Sequence, residues 1–581
     1  MRARLLSLLL GSLAIACGSD AASVLPAAGG SAGAASGHAG AGGAGAANGG
    51  AAAGGFAGGA GPGGSAGGNA AGNSAGGLPN GSAGMGGVQL PLFPPLIAGC
   101  DIPTAHARAD SALASALVNF WSGADQYLRA LSPSDGKLTG YWTYAQVFDA
   151  LLDGVERTRG QHYQGLIRAF YEGRAARGWI VGYYDDEAWM TLALMRAFDL
   201  TGDARYLDTA EMIYADIMAA WDTTCCGSHL GGIWWDKKKT QKATASNAGP
   251  ALAGVRLAAH TGKSAYLDFA KKTYAFWMSD MVDAATFAIY DHLSPNGQRG
   301  PGALTYNHGL MIAAALELST ATGEAHYLTE AHGFGQYLIT HTTKPTSSGP
   351  VLSDGTNCNG DCAAWKGIGY RYLAELYRHD PTHDEYRTVL TGGAKALWDL
   401  AHDPTNDFFS SNWAGPAPTN GGVEAQGSAA MALNLYAMLC GSDLNAAPPP
   451  AGVYQAEEGW LDHVDAEATK GRGFIGFGYV SAFTQDKQGF TLDVTVPQAG
   501  TYDVAWRYTA GEGTCVRSVI VNGQAQAAAL TFPATPSWTA WMTARSSATL
   551  PAGRSTIALR YDAAKGSKTS LDIDQLTLSA L

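Results

Sequence analysis

A short pattern recurs in the middle of the chain about every 60 residues, and it restricts the possible folds more than any other feature. In each copy a Thr-Gly pair is followed a few residues later by a Tyr-Leu pair. The copies are Thr201–Leu207, Thr261–Leu267 and Thr322–Leu328, with Tyr386 in a similar setting. Because glycine commonly ends a helix, each copy predicts the end of one helix and the beginning of the next. One period therefore holds two helices.

The span from Cys100 to Cys440 consists of amphipathic stretches separated by short Gly, Asp and Pro breaks. At the observed period it has room for about six helix pairs. Six pairs can stack as an open solenoid or close into a ring of inner and outer helices. The loops that lead into the inner helices are rich in Gly, Trp, Tyr and Asp, as expected around one mouth of a ring. We therefore expect an all-α (α/α)6 barrel over residues 100–442.

Two adjacent aspartates, Asp185 and Asp186, open one helical stretch inside the run Tyr183–Trp189. Successive helical side chains point about 100° apart, which places these carboxyl groups on the order of 5 Å apart, as in retaining glycosidases. One carboxylate can then attack while its neighbour donates a proton. Acidic residues at a helix start also cap free N–H groups and complement the helix dipole, so the pair alone leaves a structural role open.

Aromatic and polar residues recur at a similar phase of the following repeats. The segments are Gly231–Asp236 with Asn247, then Asp291 with Thr305–Gly309, and Trp365–Leu373. Sugar rings stack on indoles, and their hydroxyls need fixed amide or carboxylate partners. A buried Trp or a helix cap would explain any one segment, but the recurrence favours a carbohydrate site. The candidate substrate-binding residues are Tyr184, Trp189, Trp234, Trp235, Asn247, Asp291, Tyr306, Asn307 and His308.

In order and spacing, the motifs DDEAW, GGIWW, SN, TYN-x-G and WKG-x-x-x-RYL resemble glycoside hydrolase family 76, the endo-α-1,6-mannanases and their fungal wall-remodelling relatives. The resemblance covers about Cys100 to Cys440. It implies an (α/α)6 barrel and a retaining endo-glycosidase that hydrolyses α-1,6-mannosidic linkages in mannan-type polysaccharide. It also implies Asp185 as nucleophile, Asp186 as general acid/base, and no cofactor for catalysis.

Two positions depart from the usual family pattern. Met190 stands where a second Trp is common, and His308 stands where Gln is common. Both concern substrate contacts and not the reaction. A histidine near the mouth could hydrogen-bond a sugar hydroxyl or serve as a structural residue.

The N-terminal residues 1–17 contain two arginines, a short apolar run and then Ala-Ile-Ala before Cys17. This pattern is typical of a secretion signal, and the run is too short to span a bilayer. It resembles a bacterial lipoprotein signal, which implies lipidation of Cys17 and an exported protein anchored in the cell envelope, at the outer membrane or cell surface. An ordinary cleaved signal and a secreted protein are the alternative. Residues 18–95, rich in Gly, Ala, Ser and Asn, predict a disordered tether.

The chain has 8 cysteines. With Cys17 assigned to lipid, an odd number remains, so at least one has no partner within the chain. We expect the disulfides Cys358–Cys362 and Cys100–Cys440, but none between the adjacent Cys225 and Cys226, because that geometry is strained. No histidines accompany the cysteines at the spacing of a zinc site, so disulfides are favoured over metal ligation.

A change of periodicity follows the Ala/Pro linker at residues 443–451. The stretches Phe490–Val496, Tyr502–Tyr508 and Arg517–Val521 alternate as strands do, and the Asn-Gly pair after the last of them is a strong hairpin signal. A domain of about 130 residues made of such strands predicts an all-β, jelly-roll-like sandwich over residues 452–581.

This module resembles carbohydrate-binding modules of the family 6 and family 35 type. The matching residues are Tyr454–Glu457, Ala499–Tyr502, Arg507, Tyr508, Val521–Gly523, Trp538, Trp541 and Asp574. The resemblance implies a structural Ca²⁺ held by Gln455, Glu457 and Asp574; oxygen ligands suit this cation, and ordinary strand-edge polarity is the alternative. For sugar contact the candidates are Tyr479 and Trp541, with burial in the core as the alternative for Trp541.

The formal net charge of -12 argues against a nucleic-acid partner, because phosphate binding needs a concentrated positive surface. We expect a monomer whose partner is the polysaccharide. Two other functions remain open from sequence: a transglycosylase that uses the same aspartates, and a non-catalytic surface lipoprotein that captures glycans. Retention of both aspartates argues against the second.

Overall fold

The computed structural model describes residues 90–160, 162–302, 304–355, 358–443, 452–467, 473–476, 478–481 and 483–581. The signal at residues 1–17 with Cys17, nearly all of the tether at 18–95 and most of the linker at 443–451 lie outside these ranges. They stay predictions.

Twelve α-helices form the described part of the first domain. They are α1 (Ile102–Phe120), α2 (Tyr141–Arg157), α3 (Leu166–Ala175), α4 (Tyr184–Thr201), α5 (Ala204–Ala219), α6 (Ala245–Thr261), α7 (Ser264–Met281), α8 (Thr305–Thr322), α9 (Ala325–His341), α10 (Cys362–His379), α11 (Asp384–Asp399) and α12 (Val423–Cys440). Each even-numbered helix packs against the next even-numbered one, and α12 packs against α2. The inner ring is therefore closed, which confirms the (α/α)6 barrel.

The repeat marks the junctions between inner and outer helices, as predicted. The inner helices α4, α6 and α8 end at glycines with φ of 67°, 70° and 73°, namely Gly202, Gly262 and Gly323. Only a residue without a Cβ adopts this left-handed conformation without strain. The repeat tyrosines that follow pack as outer-helix residues: Tyr206, Tyr327 and Tyr386 are buried and Tyr266 is half-buried.

The described residues of the barrel include ten short strands, and all lie in loops that run from an outer to an inner helix. They are β1 (Trp121–Ser122), β2 (Tyr127–Leu128), β3 (Leu131–Ser132), β4 (Lys242–Ala243), β5 (His292–Leu293), β6 (Thr343–Thr346), β7 (Gly349–Leu352), β8 (His402–Asp403), β9 (Phe408–Phe409) and β10 (Gly421–Gly422). They pair as β1–β2, β3–β10, β4–β5, β6–β7 and β8–β9. The long, structured loops therefore surround the N-terminal ends of the inner helices.

The C-terminal module is a β-sandwich. Its strands are β11 (Val453–Gln455), β12 (Trp460–Asp462), β13 (Asp465–Glu467), β14 (Tyr479–Ser481), β15 (Gly489–Val496), β16 (Gly500–Thr509), β17 (Cys515–Val521), β18 (Gln524–Ala525), β19 (Leu530–Phe532), β20 (Met542–Leu550), β21 (Gly553–Arg560) and β22 (Asp572–Ala580). One sheet has the order β13-β14-β22-β16-β20 with β11 beside β22; the other has β12-β15-β21-β17-β18 with β19 beside β17. The Asn-Gly hairpin joins β17 to β18 as predicted.

Three disulfides are present in the described residues. Cys100–Cys440 ties the ends of the barrel, and Cys358–Cys362 closes a local loop; both confirm predictions. Cys225–Cys226 is also a disulfide, so the prediction that these neighbours do not bond was wrong. The turn around them accommodates it: Cys226 has a positive φ of 81°. Cys515 is free and buried.

The module contacts the barrel through its first strands and the loop between α1 and α2. The Trp460 indole donates to Gln126 Oε1 at 2.7 Å, and Gly123 N donates to Asp465 Oδ1 at 2.9 Å. Gly123 must be glycine, since a Cβ there would lie 1.7 Å from the Val464 carbonyl oxygen. None of the described helices combines the length and apolar content needed to cross a membrane.

Candidate active site

The catalytic candidates lie in the first turn of α4, one of the inner helices that open at the mouth. Asp185 and Asp186 are both half-buried. The N-cap residue Tyr183 forms no side-chain cap. Asp185 Oδ1 accepts a hydrogen bond from Asp186 N at 3.0 Å, so the helix start is only partly capped by the pair.

The third acid of the run has a separate, structural role. Glu187 is fully buried, and its Oε1 accepts from Val181 N at 2.9 Å and from Lys237 Nζ at 3.0 Å. A buried carboxylate is tolerated when it is paired in this way. Glu187 therefore holds the loop before α4 in place.

Asp185 is held by one indole of the GGIWW loop. Trp235 Nε1 donates to Asp185 Oδ2 at 2.9 Å, and the Trp235 ring packs 4.8 Å from that of Tyr183. Burial raises the pKa of Asp185 to about 7, although the Trp235 and backbone N–H groups favour the ionised form.

Asp186 has a different environment. No group in the described part of the chain donates a hydrogen bond to its carboxylate. Burial, and then the negative charges of Asp185 and Asp361, raise the pKa of Asp186 to about 8; the guanidinium of Arg174 opposes this only weakly. The environments of the two carboxylates thus differ: Asp185, with a hydrogen-bond donor, is the more easily ionised, and Asp186 the more readily keeps a proton. Acid/base catalysis by a carboxylate pair requires such a difference.

Two further acids lie at the mouth and were not among the predicted site residues. Asp361, immediately before α10, accepts from the Trp142 indole of α2 at 2.7 Å. Glu424 lies in the first turn of α12; burial raises its pKa, and the charge of Asp361 adds to the effect. Each stands at the start of an inner helix, as Asp185 does, and this shared position was the available signal.

An aromatic pair lines another part of the mouth. The rings of Tyr306, in α8, and Trp365, in α10, lie 5.0 Å apart. Asp291 Oδ1 accepts from the Tyr306 hydroxyl at 3.1 Å and from Asn307 Nδ2 at 2.8 Å. Tyr306, Trp365 and Asp291 are half-buried, so they are open to a ligand, while Asn307 is buried behind them.

Several predicted substrate contacts are instead buried scaffold. Asn247 is fully buried: its Oδ1 accepts from Ile233 N at 2.8 Å and its Nδ2 donates to Ala243 O at 2.8 Å. It therefore clamps the GGIWW loop that presents Trp235. Trp189 and Trp234 are also buried, as is Asn307. Burial contradicts direct substrate contact for these four residues.

His308 is likewise a structural residue. It is fully buried, and its ring stacks on Tyr337 of α9 at 4.6 Å, so it points to the outer layer and away from the mouth. Burial lowers the pKa of His308 to about 4. Met190 is also fully buried. Neither departure from the family pattern touches the cleft.

Tyr184 directly precedes the catalytic pair, but its half-buried ring lies beside Lys237, whose Nζ is 5.3 Å from the ring centre. The structure brings together Asp185, Asp186, Trp235, Asp291 and Tyr306 at the mouth. Residues 105–449, more than half of the chain, match the model of glycosyl hydrolase family 76. The chain belongs to this family.

The second domain also matches a known family. Residues 452–579 match the family 35 carbohydrate-binding module. The family 76 glycoside hydrolase is thus followed by a module of the family 6/35 type.

Relatives at the sequence level match either about half of the chain or a much shorter part of it. Mannan endo-1,6-alpha-mannosidase DCW1 of Candida glabrata is 25% identical over 349 residues, which are 53% of this chain and 75% of that protein. Isomaltosyltransferase of Sporosarcina globispora is 36% identical over 109 residues, which are 19% of this chain and 10% of that protein.

Solved structures share the fold. An inactive variant of an α-1,6-mannanase from Salegentibacter sp. HEL1_6 in complex with α-1,6-mannotriose has a TM-score of 0.53 and 24% identity, covering 58% of this chain and 99% of that one. The family 76 mannosidase Bt3792 of Bacteroides thetaiotaomicron has a TM-score of 0.50 and 23% identity, covering 58% and 98%.

In the module, the three predicted cation ligands converge on one loop. Asp574 Oδ1 accepts from Ile475 N at 2.9 Å, and Glu457 Oε1 accepts from Gly478 N at 3.2 Å. A Cβ on Gly476 would lie 2.5 Å from Glu457 Oε1 and 3.3 Å from Gln455 Cδ. Gln455 Oε1 and Glu457 Oε2 are buried and form no hydrogen bond.

The predicted sugar-binding aromatics of the module differ in exposure. Tyr479 is buried, so its ring face is not open to a sugar and that prediction was wrong. Trp541 is half-buried; the Arg507 guanidinium lies 4.8 Å from the centre of its ring and the Tyr479 ring 5.6 Å from it. The ring of Tyr479 instead supports that of Trp541.

Proposed function

We propose that this glycoside hydrolase is a retaining endo-α-1,6-mannanase, with Asp185 as nucleophile and Asp186 as general acid/base. The observation that carries the proposal is the adjacent carboxylate pair, which lies at the open mouth without a basic partner. The mannosidase names of the relatives support the substrate. The inactive Salegentibacter variant, in which two consecutive aspartates are replaced by asparagine, supports the pair.

In the first step the ionised Asp185 carboxylate attacks the anomeric carbon of the mannosyl unit. The bond from that carbon to the 6-oxygen of the leaving chain breaks, and Asp186 gives its proton to this oxygen. The hydrogen bond from Trp235 favours the ionised form of Asp185 and orients the carboxylate. The product is a mannosyl ester on Asp185.

In the second step Asp186, now ionised, removes a proton from a water molecule. The water oxygen bonds to the anomeric carbon, and the ester bond to Asp185 breaks. The mannosyl product leaves with its original configuration, and Asp186 is protonated again. Two inversions at one carbon give net retention.

Aromatic residues at the mouth supply the sugar contacts. Tyr306 and Trp365 form one aromatic surface, in which Asp291 holds the Tyr306 hydroxyl. The indole of Trp142, held by Asp361, lies on another inner helix. These rings offer faces to the C–H surfaces of mannose, while carboxylates accept from its hydroxyl groups.

Digestion of linear α-1,6-mannan tests the proposal. The wild type is expected to release oligosaccharides of α configuration, followed by NMR of the anomeric proton. Asp185→Asn and Asp186→Asn should each lose at least about 10³-fold in kcat, as removal of a reacting group does. Asp268→Asn, at an exposed position on α7, is the matched control and should retain full activity.

The alternatives give different results. β-Configured first products would refute the retaining mechanism. Full activity in both aspartate variants would show that Asp185 and Asp186 are not the catalytic residues. No products from any variant, together with retained mannan binding, would favour glycan capture. Longer chains formed on addition of acceptor mannosides would favour transglycosylation.

We also propose that the module binds a structural Ca²⁺ through Gln455, Glu457 and Asp574. The orphaned oxygens Gln455 Oε1 and Glu457 Oε2 fit a hard cation, and buried oxygens with no partner are otherwise costly. Asp574 is shared, because its Oδ2 also pairs with Arg507. Such an ion would fix the loop around Gly476 to β11 and β22.

Calorimetry of the full chain tests this cation site. CaCl₂ should raise the unfolding temperature of the module, and EGTA should lower it. Glu457→Gln should abolish the shift, whereas Asp503→Asn, in a surface ion pair with Arg545, should retain it. An unchanged response in Glu457→Gln would refute the site.

Lipid attachment at Cys17 and a position in the cell envelope stay proposals of the same kind, supported by the sequence pattern of residues 1–17. Expression of the wild type and Cys17→Ser with labelled fatty acid tests them. The label should enter only the wild type, and Cys17→Ser should lose its membrane attachment. Equal attachment of both proteins would refute the lipid anchor.

A further inference from the structure

Three polar side chains meet on the outside of the barrel, far from the catalytic mouth. They are His332 of α9, Asp380 directly after α10, and His383 directly before α11. One nitrogen or oxygen atom from each lies within 4.8 Å of the others. Because α10 begins at the mouth and has 18 residues, its C-terminal end lies about 27 Å away. The cluster is therefore separate from the catalytic site.

Hydrogen bonds on the far side of both imidazole rings determine which nitrogen faces the cluster. The Tyr386 hydroxyl donates to the His332 carbonyl oxygen at 3.3 Å, so its own oxygen accepts from His332 Nδ1 at 3.2 Å. The Glu385 carboxylate accepts from His383 Nδ1 at 2.8 Å. Since each neutral ring carries its proton on Nδ1, both rings present the lone pair of Nε2.

These two lone pairs face a carboxylate oxygen. His332 Nε2 lies 3.7 Å and His383 Nε2 lies 3.4 Å from Asp380 Oδ2. The other oxygen, Oδ1, accepts from the backbone and hydroxyl of Thr382. With both rings neutral, three electron-rich atoms face one another, and they repel unless a metal ion lies between them. In a tetrahedral zinc site with bonds of about 2.0–2.1 Å, neighbouring ligand atoms are about 3.3 Å apart, close to both observed distances.

We propose that His332, Asp380 and His383 bind a divalent transition-metal ion, of which Zn²⁺ fits best. Two imidazoles and a carboxylate are ligands that zinc prefers. Tyr386 and Glu385 hold the rings as outer hydrogen-bond partners do in zinc proteins. The side chains are 19% to 33% exposed, which leaves room for water as the fourth ligand.

The bound ion connects α9 to the turn between α10 and α11, two neighbouring parts of the outer layer. It therefore stabilises the barrel at the end away from the mouth. No local pattern of the sequence indicates this site, because His332 lies in a different helix from the other two ligands and only the fold brings them together.

Metal binding to the full-length protein, freed of metal by a chelator and dialysed at pH 7.5, tests the proposal. One equivalent of Zn²⁺ is expected by calorimetry, and Co²⁺ should give the visible absorption of a tetrahedral site. His332→Ala and His383→Ala should each weaken Zn²⁺ binding at least about 100-fold. Glu385→Gln keeps all three ligands and should weaken it about 10- to 100-fold.

The control is His326→Ala, which removes an exposed imidazole from the same helix α9 and should leave the affinity unchanged. Two results would overturn the proposal: less than one equivalent bound by the wild type, or the same affinity in His332→Ala and His383→Ala as in the wild type. If the alanine variants do not fold, the affinity of Glu385→Gln decides, and an unchanged value would refute the site.

Discussion

Two pairs of carboxylates lie on inner helices of the barrel in opposite electrostatic surroundings. On α2, Asp149 and Asp153 are buried against two arginines: Arg371 Nη1 lies 2.7 Å from Asp153 Oδ1, and Arg196 Nη2 lies 2.8 Å from the same oxygen. Arg371 Nε also lies 3.1 Å from Asp149 Oδ2. Burial disfavours the charge of Asp149, yet the two arginines hold its pKa below the usual value.

The catalytic pair on α4 has no such partners. No Lys or Arg in the described residues forms an ion pair with Asp185 or Asp186, and burial raises the pKa of the two acids to about 7 and about 8. The arginine partners favour the ionised form of both α2 acids, and they hold the pKa of Asp149 low although burial still raises that of Asp153. A buried acid without them can gain and lose a proton near neutral pH, which acid/base catalysis requires. The missing counter-ion marks the reactive pair.

Removal of an arginine should have the largest effect on stability. Arg371→Met leaves Asp149 and Asp153 short of a partner, and breaking a buried ion pair in this way costs about 3–5 kcal/mol. Urea unfolding measures the change. Arg545→Met, which removes an arginine from an exposed pair with Asp503, should cost less than about 1 kcal/mol. Similar losses in both variants would show that the buried arginine pairs are not what separates the two regions.

Neutralising a catalytic acid should raise the free energy of unfolding, whereas removing Arg371 should lower it. The folded-state pKa of Asp186 is raised to about 8, so the folded state keeps a proton that the unfolded chain loses above about pH 4. Its contribution to stability is full below pH 4 and is lost as the pH rises towards 8. Asp186→Asn should therefore raise the free energy of unfolding by about 1–2 kcal/mol at pH 8. The gain should vanish at pH 4; the same gain at both pH values would contradict the raised pKa.

The indole that holds Asp185 should matter for activity. Trp235→Phe keeps a ring but removes the N–H donor, so the ionised form of Asp185 is less favoured and its pKa rises. We expect kcat/KM to fall by about 10- to 100-fold, the acidic limb of its pH profile moving to higher pH. The buried neighbour variant Trp234→Phe, which also loses an indole N–H, is the control and should leave the acidic limb in place. If the acidic limb moves equally in Trp235→Phe and Trp234→Phe, the effect is general and does not act through Asp185.

The smallest effect is expected at Asp361. Its charge raises the pKa of Asp186, so Asp361→Asn should lower that pKa and move the alkaline limb of kcat/KM to lower pH by less than about one unit. A pH profile at low ionic strength measures the shift. An alkaline limb that does not move would show that Asp361 acts only by holding Trp142.

Much of the architecture could be predicted because local sequence patterns indicate where its helices begin and end. Glycines at the ends of α4, α6 and α8 have the same left-handed conformation in all three periods, and a tyrosine of the next outer helix follows each of them. Ring closure depends on α12 meeting α2, which no local pattern contains; only the composition of the loops pointed to it.

Part of the site could also be predicted from a local pattern. Asp185 and Asp186 stand together in the sequence, whereas Asp361 is a single acid whose relation to them depends on the ring of helices. Burial is also a tertiary property: Asn247 and His308 have the right chemistry for sugar contact but are fully buried within the domain. The Cys225–Cys226 disulfide was missed because a general rule of geometry was applied without knowledge of the turn.

The most direct test of the account is to trap the glycosyl-enzyme in Asp186→Asn with an α-mannosyl fluoride. Fluoride leaves without a proton, so the first step proceeds, but without a base the ester is hydrolysed slowly and accumulates. Peptide mass spectrometry is predicted to find the sugar on Asp185, with none in Asp185→Asn treated alike. A sugar on any other residue, or fluoride release with inversion, would contradict the assignment of the two aspartates.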